Sequence, residues 1–206
     1  MNRHVERLAG RVLALLAVSI VLEIIAQLLP PHYSAIRDTE SALAVGPYRA
    51  LEITSFCVRG LLVFVLLRAG SLAIPPEFTA RLGNRMLMWV AMSKFVIAFV
   101  PTDLAPRPET LHGLIHAVVA FASFFAASIG EVLVSRKLLD LPWIPGHLLL
   151  RLAQITVAWS ILITVTAGMG LACWGLLERI ETVLLLGWIA IFAEALRIHA
   201  RGRVWR

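Results

Sequence analysis

The sequence predicts an all-α fold, a polytopic membrane protein built as a bundle of six transmembrane helices. Three observations carry that prediction. Of 206 residues, 59% are hydrophobic and only 16% are charged, against roughly 25% charged in an ordinary soluble domain. Mean hydropathy is +0.83. The apolar residues are gathered into six runs close to the ~20 residues that cross a bilayer. This composition excludes a disordered chain. It also gives the formal net charge of +6 a different owner from nucleic acid: positive residues gather on the cytoplasmic side of membrane proteins. The partner that follows directly is the lipid bilayer, with no nucleic acid.

The first run, 12–29, is closed by Pro30-Pro31. Arg3, Arg7 and Arg11 precede it as they would a signal peptide, but the run is long and carries Glu23 and Gln27. It reads as a retained anchor helix. The second run, 53–69, is followed by Pro75-Pro76, and the third, 86–100, is stopped by Pro101. Proline lacks the N–H that would continue a helix and clashes with the preceding turn. The fourth run is 111–135, the fifth 148–175 and the sixth 182–199. Short connections make sequence neighbours into spatial neighbours, and they leave room for a single domain over 1–206. Cys57 and Cys173 both lie in apolar runs and predict no disulfide.

Lys and Arg give the orientation. With the N-terminus inside, Arg3, Arg7, Arg11, Arg68, Arg81, Arg85, Arg136, Lys137, Arg151, Arg197, Arg201, Arg203 and Arg206 fall on one side. Arg37, Arg49, Arg107 and Arg179 fall on the other. That bias predicts cytoplasmic N- and C-termini and a bacterial-type inner membrane.

Ionisable residues at membrane depth need partners. Ser19, Glu23 and Gln27 recur at steps of four and form one polar stripe on the first helix. Glu23, Arg59 and Lys94 fall near one depth and read as an intramembrane charge network, or as an ion or proton path. Glu131 and Glu194 are expected within reach of Arg136, Arg151 or Arg197. Thr156, Ser160, Thr164 and Gly168 form a small-residue stripe on the fifth helix. His116, Ala120, Ser123, Ala127 and Gly130 form another on the fourth, and both read as packing faces. The six tryptophans, Trp89, Trp143, Trp159, Trp174, Trp188 and Trp205, are mostly placed as interfacial anchors.

The external face gathers Glu40 and Ser41, Asp103, His112 and His116, and Glu178 and Arg179. His112 and His116 share a helix face at i, i+4, a spacing that chelates a metal such as zinc. Asp103 is the candidate third ligand or the group that orients an imidazole. In a catalytic reading Asp103, His116 and Glu178 do the chemistry, with Glu178 or Glu40 as acid or base. In a binding reading Glu40, Ser41 and Arg179 contact a ligand. In the plainest reading Asp103 and Glu40 cap helices or pair with Arg107, Arg179 or Arg49.

The segments Glu40-Ser41-Ala42-Leu43-Ala44-Val45-Gly46-Pro47-Tyr48, Phe99-Val100-Pro101-Thr102-Asp103, Thr110-Leu111-His112-Gly113-Leu114-Ile115-His116 and Gly175-Leu176-Leu177-Glu178-Arg179 occur in that order. Together they resemble the membrane family known as domain of unknown function 998, over about residues 10 to 200. The resemblance implies six membrane helices and a candidate residue set best matched by Asp103, His116 and Glu178-Arg179; it implies no reaction. Glu40 precedes Ser41 where the family's acidic residue follows, Val100 separates Phe99 from Pro101, and position 112 need not be His in such proteins. Three function classes follow: a binding or accessory membrane component, a metal-dependent intramembrane hydrolase acting on lipid through His116 and Asp103, and a small ion- or proton-coupled transporter using Glu23, Arg59 and Lys94.

Overall fold

The computed structural model describes residues 2–31, 33–104, 109–169 and 173–202. Arg107, residues 170–172 of the expected fifth run, Arg203, Trp205 and Arg206 lie outside the described residues. Six α-helices carry the chain: α1 (Asn2–Leu28), α2 (Arg49–Ala73), α3 (Arg81–Phe99), α4 (Leu111–Leu138), α5 (Gly146–Met169) and α6 (Trp174–Ala200). The described residues contain no strand. Helices satisfy their own backbone polar groups, which is what a segment in lipid requires. All but α3 are long and apolar enough to cross a membrane; α3 carries Asn84, Arg85 and Lys94 and lies between α2 and α4.

The helices run past their hydrophobic cores. α1 begins at Asn2 and α2 at Arg49, well before the apolar runs. The largest difference from the sequence reading is at α6, which starts at Trp174 rather than near Thr182. Glu178, Arg179 and Glu181 break the hydropathy there, yet they sit on helix faces turned into the bundle. Gly175, assigned by hydropathy to the fifth run, is in the first turn of α6. The proline stops hold: α1, α2 and α3 each end within a few residues of one.

The helices close a ring in sequence order. Each packs on its sequence neighbours, and α6 packs on α1. α6 also leans inward against α2 and α4. The chain ends meet at one face, where Arg201 Nε lies 2.6 Å from Glu6 Oε1. We call this the terminal face and the opposite one the far face.

Along its axis the bundle divides in two. The half toward the terminal face is an apolar core that includes Val12, Leu62, Leu66, Leu138, Leu149, Trp188, Phe192 and Leu196. Trp188 is fully buried, and its ring nitrogen donates to Ser135 Oγ at 2.9 Å, so it is a core residue and not an interfacial anchor. The other half buries Ser19, Glu40, Ser41, Glu52, Ser55, Arg59, Ser128, Ser160 and Glu181. Glu131, 1% exposed, makes no ion pair among the described residues; none of Arg136, Arg151 and Arg197 reaches it. It lies deeper than expected because α4 continues to Leu138 and Arg136 points to solvent. Glu194 does pair with Arg197, at 2.7 Å.

Candidate functional site

The connection after α1 does not stay outside the bundle. A 3-10 turn, Glu40–Ala44, drops into the far mouth with every residue buried. Thr39 starts it, its hydroxyl accepting from Ala42 N at 3.2 Å. Thr39 Oγ1 and Ser41 Oγ are 3.1 Å apart. The turn delivers Glu40 to the bundle axis at 2% exposure.

Arg59 is the centre of the cluster there. α2 begins at the far face, and helical side chains lean toward the helix N-terminus, so Arg59 reaches outward from its buried position. One guanidinium nitrogen binds Glu40 Oε2 at 2.8 Å and the other pairs with Glu23 of α1. Thr182 of α6 donates its hydroxyl to the same Glu40 oxygen at 3.1 Å, and Glu40 N donates to Glu178 Oε2 at 2.9 Å. Glu23 and Arg59 of the expected charge network and Glu40 of the expected external residues are therefore joined in one cluster. An exposed loop would not have put Glu40 beside Arg59; the inserted turn does. Lys94 makes no ion pair among the described residues. Its ammonium lies 5.9 Å from the Phe56 ring centre and 5.7 Å from that of Phe124, a cation–π setting.

Arg179 ties the loop to α6. Its guanidinium donates to the carbonyls of Asp38 at 2.7 Å, Gly175 at 2.9 Å and Ala35 at 3.1 Å, and also to Gln27 of α1. Gly175 makes the close approach possible, because a Cβ there would stand 2.2 Å from the Asp38 carbonyl oxygen. The Gly175…Glu178-Arg179 motif is thus a clamp that seats the loop bearing Glu40.

Asp103 and the histidines form a separate arrangement at the start of α4. Asp103 accepts from Thr110 N at 2.9 Å, Glu109 N at 2.8 Å and Thr110 Oγ1 at 2.8 Å. It rests on Gly113, where a Cβ would be 2.0 Å from Oδ2. The backbone N–H of Thr110, with its hydroxyl and the Glu109 N–H, holds the Asp103 carboxyl below its ordinary value. Thr110 in turn caps α4 by accepting from Gly113 N at 3.1 Å. His116 is buried, its Nδ1 2.6 Å from the Val100 carbonyl. His112 is exposed, its Nδ1 3.0 Å from Thr110 Oγ1 and 3.9 Å from Asp103. The described residues contain no group of three or more His, Cys, Asp or Glu side chains placed to hold a metal ion. The structure therefore sets Asp103, His112 and His116 around the α3–α4 connection, with Asp103 holding the capping residue Thr110, and does not join them to Glu178.

Two buried acids were missed in the sequence. Glu52 is 0% exposed and both carboxylate oxygens lack a hydrogen-bond partner. It fell just before the second apolar run, yet Glu52, Ser55 and Arg59 recur at helical steps and mark one face. Glu181, also fully buried, accepts from Ser160 Oγ at 2.6 Å. Its signal was a charged stretch with apolar sequence on both sides.

Two spaces adjoin the cluster. A groove of about 420 Å³ runs between α1 and α6, lined by Leu16, Ile20, Glu23, Ile24, Glu40, Arg179, Thr182, Val183, Leu186, Gly187 and Ala190. An internal cavity of about 40 Å³ is bordered by Arg59, Lys94, Thr182 and Glu131 together with apolar residues.

Comparison with curated proteins and with solved structures returns no match for this chain. The family described as a protein of unknown function (DUF998) matches residues 9–195, nearly the whole described bundle, and the chain belongs to that family.

Proposed function

We propose that this membrane protein is a binding component that receives a phospholipid in the groove between α1 and α6, head at the far face. The observation that carries this reading is the polarity of the groove. Glu23, Glu40, Arg179 and Thr182 line one end; Leu16, Ile20, Val183, Leu186 and Ala190 line the rest. From Arg179 to Ala190 the α6 wall rises about 16 Å at ~1.5 Å per residue, about half of a ~30 Å hydrocarbon core. That is the length of one leaflet. Val183 at the rim is 68% exposed, so the groove opens sideways toward lipid. Two carboxylates beside a guanidinium fit a head that carries both an ammonium and a phosphate.

In this reading Glu40 and Arg179 are ligand contacts, and Ser41 stabilises the turn that presents Glu40. The Lys/Arg bias supports a cytoplasmic terminal face in a bacterial-type inner membrane, with the groove's head end outside. The hydrolase reading draws less support, because Asp103 is occupied by hydrogen bonds from Glu109 and Thr110 and lies in a different arrangement from Glu178. The transporter reading is favoured by one observation, the cavity that connects Arg59 and Lys94 with Glu131.

The test is native mass spectrometry of protein released from nanodiscs of phosphatidylethanolamine, phosphatidylglycerol or phosphatidylcholine. One phosphatidylethanolamine retained per chain is expected. Val183→Trp and Ala190→Trp fill the groove and remove it, with helicity unchanged. Equal retention by the filled variants, or retention indifferent to the head, sinks the proposal.

A further inference from the structure

The polar half of the bundle does not balance its own charge. The carboxyls of Glu23, Glu40, Glu52, Glu131, Glu178 and Glu181 are held between the helices, with only Arg59, Lys94 and Arg179 as cationic side chains among them in the described residues. Three negative charges in excess would be severely destabilising inside a bilayer. Three of the carboxyls also have oxygens without a hydrogen-bond partner: Glu52, Glu131 and Glu181. The number of carboxyls that leave an oxygen unpartnered equals the excess. A buried carboxyl without a cation relieves its desolvation by taking up a proton.

Glu131 differs from Glu52 in what it borders. It is 1% exposed to solvent, but it lines the cavity of about 40 Å³ that also meets Arg59, Lys94 and Thr182. A cavity of that size holds a few water molecules at ~10–15 Å³ each. Thr182 reaches Glu40, and Arg59 reaches Glu23 and Glu40. One turn before Glu131, Ser128 Oγ lies 3.4 Å from Ser160 Oγ, which donates to Glu181. On the terminal side the way is closed by Leu62, Leu66, Leu138, Trp188 and Leu196, each under 2% exposed. The groups around Glu131 are Arg59 from α2, Lys94 from α3 and Glu181 from α6. α5 contributes only the hydroxyls of Thr156 and Ser160; its ionisable residues, His147 and Arg151, are exposed at the terminal face.

We propose that Glu131 is an exchangeable proton-binding site, reached through this cavity from the far-face cluster and closed toward the terminal face. Glu181 is its partner across the Ser128–Ser160 contact. In the binding step a hydronium ion gives its proton to the Glu131 carboxylate, leaving a neutral carboxylic acid and a water molecule. The assignment is independent of what occupies the α1–α6 groove.

Infrared spectroscopy of the full chain in lipid at neutral pH tests it. The wild type is expected to show the carbonyl stretch of protonated carboxyls, shifted after transfer to D2O. Glu131→Gln is expected to remove about a third of that absorbance, one of three neutral acids. The proposal is overturned if the wild type shows no protonated-carboxyl absorbance at neutral pH, a result that requires no variant. It is overturned equally if folded Glu131→Gln leaves the band intact. Thermal stability in sodium chloride against choline chloride gives the remaining outcome: a sodium-specific rise in Tm that Glu131→Gln abolishes makes the site a metal-cation site instead.

Discussion

Arg59 shows how one buried cation organises a membrane bundle. It joins α1 and the inserted turn through Glu23 and Glu40, and it is 3% exposed. Removing one member of a buried pair leaves the others desolvated and unpaired, at a cost of about 3–5 kcal/mol. Arg59→Leu is therefore expected to lower folding stability by that amount in detergent unfolding titrations. Adding Glu23→Gln and Glu40→Gln to the same chain should recover part of the loss, because the orphaned charges go with the cation. Asp103 gives the pH-dependent counterpart. Its carboxyl is held below the ordinary value by hydrogen bonds from Thr110 and Glu109. The stability this contributes is present above the unfolded value of ~3.9 and is lost as pH falls through the lower folded value. Acid titration below about pH 4 should loosen the start of α4, followed by hydrogen exchange at 109–113, and Asp103→Asn should remove that acid dependence.

At the scale of elements, the far-face loop is positioned by α6 more than by its own sequence. Arg179 donates to the carbonyls of Ala35, Asp38 and Gly175, and the Gly175 position leaves no room for a methyl beside Asp38. Gly175→Ala is expected to displace the loop and cost about 1–3 kcal/mol. Gly187→Ala on the same helix meets only Leu152 Cδ2 at 3.8 Å and should be near neutral. Differential scanning fluorimetry and protease cleavage within 33–39 separate the two. The same paired logic explains how the family motifs divide. Phe99…Asp103 and Gly113…His116 lock the α3–α4 connection, whereas Glu40 and Gly175…Arg179 seat the turn that reaches Arg59. The motifs were visible in the chain, but their grouping was not, since Glu40 and Glu178 meet only because α6 closes the ring on α1.

On the whole-molecule scale the bundle is an apolar half joined to a polar half. The contact between Glu6 and Arg201 puts the start of α1 and the end of α6 on the apolar side. With that side cytoplasmic, Glu109→Cys is expected to react with a membrane-impermeant maleimide on intact cells, and Asp140→Cys only after permeabilisation, each in a chain with Cys57 and Cys173 replaced by Ser. The reverse labelling would invert the orientation. Fold class, helix number and the proline-marked helix ends were legible in the sequence, because hydropathy and backbone chemistry are local properties that a run of residues carries by itself. The Glu23–Arg59 pair was legible too, since buried charges in lipid have few places to go. The ring order, the insertion of Glu40, the burial of Trp188 and the isolation of Glu131 were decided only by the tertiary structure. Each depends on which helix faces meet. A helix periodicity says that a residue shares a face with its neighbours three and four positions away. It does not say what that face will touch.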